Sequence, residues 1–519
     1  MAVENQKDEQ RPGFWLVVMA ACSGTFVVAY NTTAVMTALP AIKVDLDLDV
    51  DTLQWVINLY MLFGAATLAA MGHLGDTFGM TRIFLAGVAV FALGSIAIAL
   101  TDESALLLLG RALQGLAVAS IMSASVALIN RATPPESRAT ALGIWAAALA
   151  LGFASGPLIG GILTDSISWR AIFVLDLIIL SIATLLCVWV IREGLSPPVI
   201  EGGKRSDFPG IALLFVAFAS FLYALSCGPL YGWTSPPTIS LFVLTLVAGA
   251  GFVTRELHFP DPLIRLGFFR YRNYAAATTS MILAGFTQIG ILFFINSFIQ
   301  SSDGLNFSAS QAGLALLPFT AVMFLISLVA PHVIPEKAYG IWATIGMACL
   351  MIGFWLMRDV DHQTPYEEIW WRLTFIGAGV GLNMMLLPRI GLGALPEANT
   401  GQGSGVINTC LYAGLAIGTA LGAVVVAQIK QHVVGPYIDR VGASLPDSQA
   451  LKITLVHGSQ SQVSKALAEL PSTESKNVQD VMLRAFDHGF SGVMLLMAAA
   501  AAIGMVLCAL VIRRRQGNG

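Results

Sequence analysis

Charge is what this sequence has least of. Only 11% of its 519 residues are Asp, Glu, Lys or Arg, against roughly a quarter in an average soluble domain, while 56% are hydrophobic. A chain so poor in charge cannot cover a water-facing surface, which excludes a soluble enzyme. The net charge of -3 decides nothing alone, because membrane proteins sort charge by side, and nothing supports nucleic acid binding. Cysteine is equally sparse. The six residues Cys22, Cys187, Cys227, Cys349, Cys410 and Cys508 fall in or at the ends of apolar blocks, with no C-x-x-C spacing, so a disulfide framework or zinc site is not expected and a packing role is. No Walker motif is present to hold ATP. No nucleophile–base or metal constellation appears either, so the chain is expected to have no catalytic residue, cofactor or metal. The polar stretch Met1 to Pro12 precedes an apolar run from Phe14 that is too long for a signal-peptide core and lacks a cleavage site, and reads as a retained first helix.

What fills the chain instead is apolar blocks of about twenty residues, the length that a helix needs to cross roughly 30 Å of hydrocarbon. They lie near 14–40, 52–72, 82–101, 105–131, 139–163 and 170–192, then 208–229 and 236–257, then 274–299, 311–333, 340–358, 369–395, 403–428 and 488–512. The segment Arg192 to Asp207, with Pro197, Pro198, Gly202 and Gly203, suits a water-exposed linker. An even number of spans puts both termini on one side. With the termini inside, Lys7, Arg11, Arg82, Arg131, Arg138, Arg192, Lys204, Arg205, Arg255, Arg265, Arg270, Arg272, Lys337 and Arg513 to Arg515 fall inside, and only Lys43, Arg170, Arg358 and Arg372 fall outside. A bias of about four to one places both termini in the cytoplasm, the chain being multi-pass in a plasma membrane, or an inner membrane if bacterial. The long polar segment 429–487 is then outside. Its periodic Leu, Val and Ala fit short amphipathic helices, and its polarity fits a disordered loop as well.

Several motifs stand on these blocks. Gly72-His-Leu-Gly-Asp76-Thr-Phe-Gly79-Met-Thr-Arg82 joins the second and third spans and resembles the G-x-L-x-D-x-x-G-R-K-x signature of the major facilitator superfamily. Gly72 and Gly79 permit a tight turn and close helix approach, while Asp76 and Arg82 are placed to form a conformational latch. Met80 and Thr81 stand where the family usually has basic residues. Leu109-Gly-Arg111-Ala-Leu-Gln114-Gly115 is similar to the R-x-x-Q-G motif. Gly152-Phe-Ala-Ser-Gly156-Pro157-Leu-Ile-Gly160-Gly161 resembles the G-x-x-x-G-P-x-x-G-G antiporter signature, in which small residues clear one helix face and Pro157 removes a backbone bond. Ala38-Leu-Pro40-Ala-Ile, Gln54-Trp55-Val-Ile-Asn58-Leu-Tyr60 and Trp169-Arg170-Ala-Ile-Phe173 resemble stretches of the fourteen-helix drug:proton antiporters. In the second half Leu316-Leu-Pro318, Gly377 to Gly381 and Gly401 to Asn408 are weaker matches, so the likeness covers nearly the whole chain.

Ionisable groups at membrane depth are costly and by default functional. Arg111, Asp176 and Arg389 sit well inside the blocks. Arg111 and Asp176 both fall a few residues below the outer surface and are candidate partners, an acid beside an arginine being tunable for proton exchange. The resemblance places an acid in the first span, yet this chain has Asn31 there, which cannot titrate. Asp176 occupies a place where relatives tend to have Asn. The protonatable role has therefore moved to Asp176, or Asp176 satisfies buried polar neighbours. Arg389 follows Pro388 in a span that, by the resemblance, lines the central cavity. It either favours an anionic or zwitterionic substrate or snorkels to the inner surface. Further polar candidates for the cavity are Asn31, Gln54, Trp55, Asn58, Gln288, Asn296, Asn383 and Asn408, of which Asn31, Gln54 and Asn58 rank highest.

The expected fold is all-α and integral to the membrane: a six-helix bundle over 1–192, a linker with two additional spans over 193–273, and a second six-helix bundle over 274–519. The resemblance implies alternating access and export of amphipathic drugs, toxins or natural products, as in multidrug efflux and drug resistance, with protons as the coupling ion and membrane lipids around the chain. A dedicated exporter of one anionic or zwitterionic compound, such as a siderophore or self-made toxin, and a transporter-like membrane sensor are the competing readings.

Overall fold

A computed structural model of the chain describes residues 13–194, 207–396, 399–441, 451, 454–456, 458 and 460–512. Helices dominate it. The first six are α1 (Phe14–Asp45), α2 (Val50–Phe78), α3 (Met80–Ala99), α4 (Ser104–Ala132), α5 (Pro135–Ser166) and α6 (Arg170–Arg192), followed by α7 (Phe208–Tyr231) and α8 (Pro236–His258). The second set comprises α9 (Arg272–Ile289), which continues through a π-turn at Gly290–Ile295 into α10 (Asn296–Gln300), then α11 (Ala309–Ala315), α12 (Leu317–Val333), α13 (Tyr339–Met357), α14 (Tyr366–Leu392), α15 (Thr400–Val441), α16 (Gln460–Ala468) and α17 (Ser472–Val511).

Among the described residues twelve helices are long and apolar enough to cross a membrane, and α11 with α12, bent by 44°, makes a thirteenth. The 29 residues of α2 span roughly 43 Å at 1.5 Å per residue and hold a shorter apolar stretch, Thr52–Leu68, where the second apolar block was expected. Large apolar side chains face outward, including Leu185, Leu246, Val247 and Leu510. Such an unbroken apolar exterior is stable only against lipid.

Local chemistry sets the ends. Gly79 has φ 95° and is the single residue between α2 and α3, a conformation that a side chain would strain. Pro135, Pro209 and Pro236 each stand in a first turn, where the missing N–H costs nothing. Ser308 and Gln311 cap α11 reciprocally.

Helices α1 to α6 pack on one another, α9 and α12 to α17 form a second group, and α7 with α8 makes a hairpin whose α7 touches both α2 and α15. The two groups also meet at the end away from residue 13. There the Asp165 carboxylate accepts bonds from Ser308 Oγ at 2.6 Å, Ser310 N at 2.7 Å and Ala309 N at 3.2 Å. Asn296 and Gln300 donate to the carbonyls of Met36 and Thr37 at 2.7 and 2.9 Å.

In the polar segment 429–487 a short amphipathic helix of the expected kind is present as α16 (Gln460–Ala468), whose Val463 and Leu467 pack inward, and two long helices extend into the segment as well. Within it α15 runs on to Val441 and α17 starts at Ser472, so that these helices, of 42 and 40 residues, reach roughly 60 Å each. Val434 and Ile438 of α15 pack with Leu455, and with Val478 and Ala485 of α17, as a small separate core. The spacings of four and seven residues put each pair on one helix face, and burial of that face holds the extensions together.

Candidate functional site

Four helices of the first bundle converge on a closed ring of five side chains. Asn31 of α1 donates through Nδ2 to Asp176 Oδ2 of α6 at 2.7 Å, and Ser95 of α3 donates to the same oxygen at 3.1 Å. Arg111 of α4 donates through one terminal nitrogen to Asn31 Oδ1 at 2.9 Å and to Gln114 Oε1 at 2.7 Å. Gln114 Nε2 closes the ring on Ser95 Oγ at 2.9 Å. All five residues are fully buried. Buried polar groups are tolerated when they satisfy one another, and here the amide of Asn31 serves both charges at once.

The ring is also anchored outside itself. Arg111 Nε donates to the Val56 carbonyl at 3.0 Å, and its guanidinium lies 4.2 Å from the Tyr60 ring centroid, a favourable cation–π geometry in a dry site. The Tyr60 hydroxyl in turn meets Thr32 Oγ1 at 2.8 Å. Two atoms remain without a partner: Asp176 Oδ1 and the second terminal nitrogen of Arg111. Such orphans are uncommon inside proteins and mark a place where chemistry can occur.

Arg111 and Asp176, expected to be partners, are thus linked through Asn31 and make no direct ion pair. Asn31, expected to line a substrate cavity, is occupied at both amide ends. The ring leaves it no free face. Asn58 is fully buried with neither amide atom hydrogen-bonded. Trp55 turns to the inserted hairpin, its ring 5.9 Å from that of Tyr223 on α7. Arg389 is exposed, 3.4 Å from the Tyr339 hydroxyl. It lies three residues from the end of α14, close enough for its long side chain to leave the apolar zone, and does not line the cavity described below.

Gln54 of the expected polar set opens onto a cavity. This space of about 170 Å³ lies between α2, α7, the π-turn with α10, α15 and α17. Its wall includes Phe293, Phe294, Phe298, Phe486 and Phe490, together with Lys430. Sequence reasoning missed Lys430 because it placed the thirteenth span's end at residue 428. It also left out Ser95, for which a lone serine in an apolar block gives no signal, and Gln114, whose three-residue spacing from Arg111 puts both on one face.

The antiporter-like stretch packs α5 against α1. A Cβ at Gly152 would lie 2.8 Å from the Phe26 carbonyl, one at Gly156 would lie 2.8 Å from the Tyr30 carbonyl, and one at Gly160 would lie 2.7 Å from Ala34 Cα. Gly161 faces the second bundle, where a Cβ would meet the Ala309 carbonyl at 2.3 Å. Pro157 lies inside α5, and its carbonyl sits against Gly313. Of the latch residues, Gly79 forms the turn and Arg82 is exposed, while the surroundings of Gly72 and the side chain of Asp76 lie outside the described residues.

The chain is similar to known proteins. The sequence profile of the Major Facilitator Superfamily matches residues 21–419. Multidrug resistance protein Stp of Mycobacterium tuberculosis is 30% identical over 433 residues, which cover 83% of this chain and 79% of that protein. The tetracenomycin C resistance and export protein of Streptomyces glaucescens is 30% identical over 517 residues, 97% of this chain and 92% of the relative. Among solved structures, a bacterial homologue of the human lysosomal transporter Spinster, inward-facing and unoccupied, superposes with a TM-score of 0.62 at 15% identity, covering 98% of this chain and 100% of that one.

Proposed function

The chain belongs to the major facilitator superfamily, and from that premise we propose that it exports amphipathic small molecules by alternating access, in exchange for protons carried by Asp176. Relatives named for drug resistance and for the export of tetracenomycin C and cephamycin support export of drugs and antibiotics as the general activity.

One observation carries the proton reading. Asp176 accepts both of its hydrogen bonds on Oδ2, and Oδ1 has none. A proton can therefore add to Oδ1 without breaking the ring. Its arrival leaves the buried Arg111 charge uncompensated, which in a low-dielectric interior strongly favours a change in packing. Arg111 reaches α1 through Asn31 and α2 through Val56. It is thereby connected to the helices that meet the second bundle: α2 packs on α15, and α1 packs on α5, which carries the contacts to α11. Protonation and rocking of the bundles are coupled along this route.

The excess of Arg and Lys at the end that bears the termini supports placing that end in the cytoplasm. The Asp165 contacts then close the outer side, and lipids surround the apolar belt.

Liposomes holding the purified chain under an imposed pH gradient test the reading against a panel of charged and neutral compounds. Substrate addition is expected to release lumenal protons. No release with any compound, from protein that retains its fold, would overturn proton exchange.

A further inference from the structure

The cavity beside Gln54 combines three features that the proton ring does not explain. The first is an aromatic cluster: Phe298 stacks with Phe490, at 4.3 Å between centroids and 28°, and with Phe486, at 5.6 Å and 12°. The second is Lys430, which lines the space and makes no hydrogen bond or ion pair among the described residues. The third is that among the described residues no carboxylate lines the space, where Gln54, Ser226 and Ser297 are the other polar groups.

We propose that this cavity binds small aromatic acids, which pack against the cluster formed by Phe298, Phe486 and Phe490 and set their carboxylate on Lys430. Aromatic packing supplies apolar burial with a preferred orientation. A charge-assisted bond to an ammonium away from bulk water then selects the anion over its neutral analogue. Beyond the wall, Lys43 of α1 and the carboxylate of Asp303 act on Lys430 with opposite signs, so Lys430 itself sets the sign of charge on the cavity. A cationic guest would meet one lysine and, among the described residues, no acid on the wall.

The volume is below the roughly 300–1,000 Å³ of pockets for drug-sized ligands, which fits compounds of one or two rings. Leu225, Ser226 and Pro229 of α7 complete the wall, so the inserted hairpin contributes to recognition.

The inference names a substrate class for the proposed exporter and rests on that reading. Its test is binding at equilibrium, which needs neither transport nor a gradient. The full chain in phosphatidylcholine nanodiscs is dialysed against radiolabelled naphthoate and, separately, neutral naphthamide. Lys430→Met is expected to weaken naphthoate binding at least about tenfold, with naphthamide changed less than about twofold. Lys430→Arg should restore naphthoate to within about threefold. Phe298→Ala should weaken both compounds together. Should Lys430→Met fail to fold, Lys430→Gln makes the same comparison. Unchanged naphthoate binding in the folded charge-removal variant overturns the proposal, as does an equal loss for both probes. Loss of wild-type naphthoate binding in phosphatidylglycerol nanodiscs also overturns it, since an anionic lipid headgroup would then be the occupant. Binding that behaves as expected while drug export fails counts against the export reading alone.

Discussion

Asn31 donates to Asp176 across 2.7 Å while its carbonyl oxygen accepts from Arg111 at 2.9 Å. A neutral amide thus transmits between two buried charges that make no direct pair. The arrangement keeps the site neutral when Asp176 is ionised and leaves one positive charge when it is protonated. The first-span position therefore links the two charges even though it cannot titrate.

Asp176→Asn keeps a hydrogen-bonding side chain of the same size in the ring but removes its one carboxyl group. Substrate-driven proton release in liposomes is expected to fall to the background of empty vesicles. The variant should also be less stable by about 1–3 kcal/mol, because the Arg111 charge loses its compensation, and thermal unfolding checks this directly. Retained proton release at more than about a tenth of the wild-type rate would assign the carrier elsewhere.

Asn31→Asp would put a second carboxylate oxygen about 2.7 Å from Asp176 Oδ2. Two such oxygens must share a proton at that distance, since like charges so close cannot both ionise. The shared proton leaves only at higher pH. The pH optimum of proton-coupled transport is therefore expected to move in the alkaline direction, by about one unit or more. An unmoved pH–rate profile, with the variant present in the membrane at wild-type amounts, would show that the amide and carboxylate do not communicate during transport.

The membrane crossings were legible because a lipid-facing helix is a contiguous property of sequence. The site was legible only in part. Arg111, Asp176 and Asn31 are conspicuous as polar residues in apolar blocks, but their linkage depends on how α1, α4 and α6 pack, which periodicity does not encode. Ser95 has no distinguishing neighbour at all. Depth misled at two helix ends. Arg389 counts as intramembrane by residue number, yet its long side chain reaches the exterior near Tyr339. Lys430 was assigned to an outer loop because polar residues follow it, yet α15 continues past it for eleven residues to Val441 and holds it on the cavity wall.

Asp165 receives three bonds from the start of the second bundle, so its loss should loosen that end of the molecule. Asp165→Ala leaves two backbone amides and a hydroxyl short of an acceptor, a cost of roughly 1–3 kcal/mol to the closed arrangement. Conformations open at this end are expected to become more populated. Thr37, now 1% exposed beneath the Gln300 contact, reports the change. Introduced as cysteine in a background lacking the six native ones, it should label with a membrane-impermeant maleimide several-fold faster in the Asp165→Ala chain. Equal labelling rates would mean that the carboxylate does not hold this end closed.

The glycines of α5 permit a separation that no other residue allows. A Cβ at Gly160 would lie 2.7 Å from Ala34 Cα and 2.8 Å from the Ala34 carbonyl, both backbone atoms that cannot rotate away. Gly160→Ala therefore requires α1 and α5 to move apart, at a cost of about 1–3 kcal/mol for overpacking. Because α1 carries Asn31, the same displacement stretches the ring. Export is expected to fall several-fold and the unfolding temperature to drop. Gly143→Ala on the same helix is the control, since nothing lies within 4 Å of its Cβ position and alanine is favoured over glycine in a helix by about 1 kcal/mol. That variant should match or exceed wild-type stability and transport normally. Equal effects of the two substitutions would show that the contact between α1 and α5 does not set the cost.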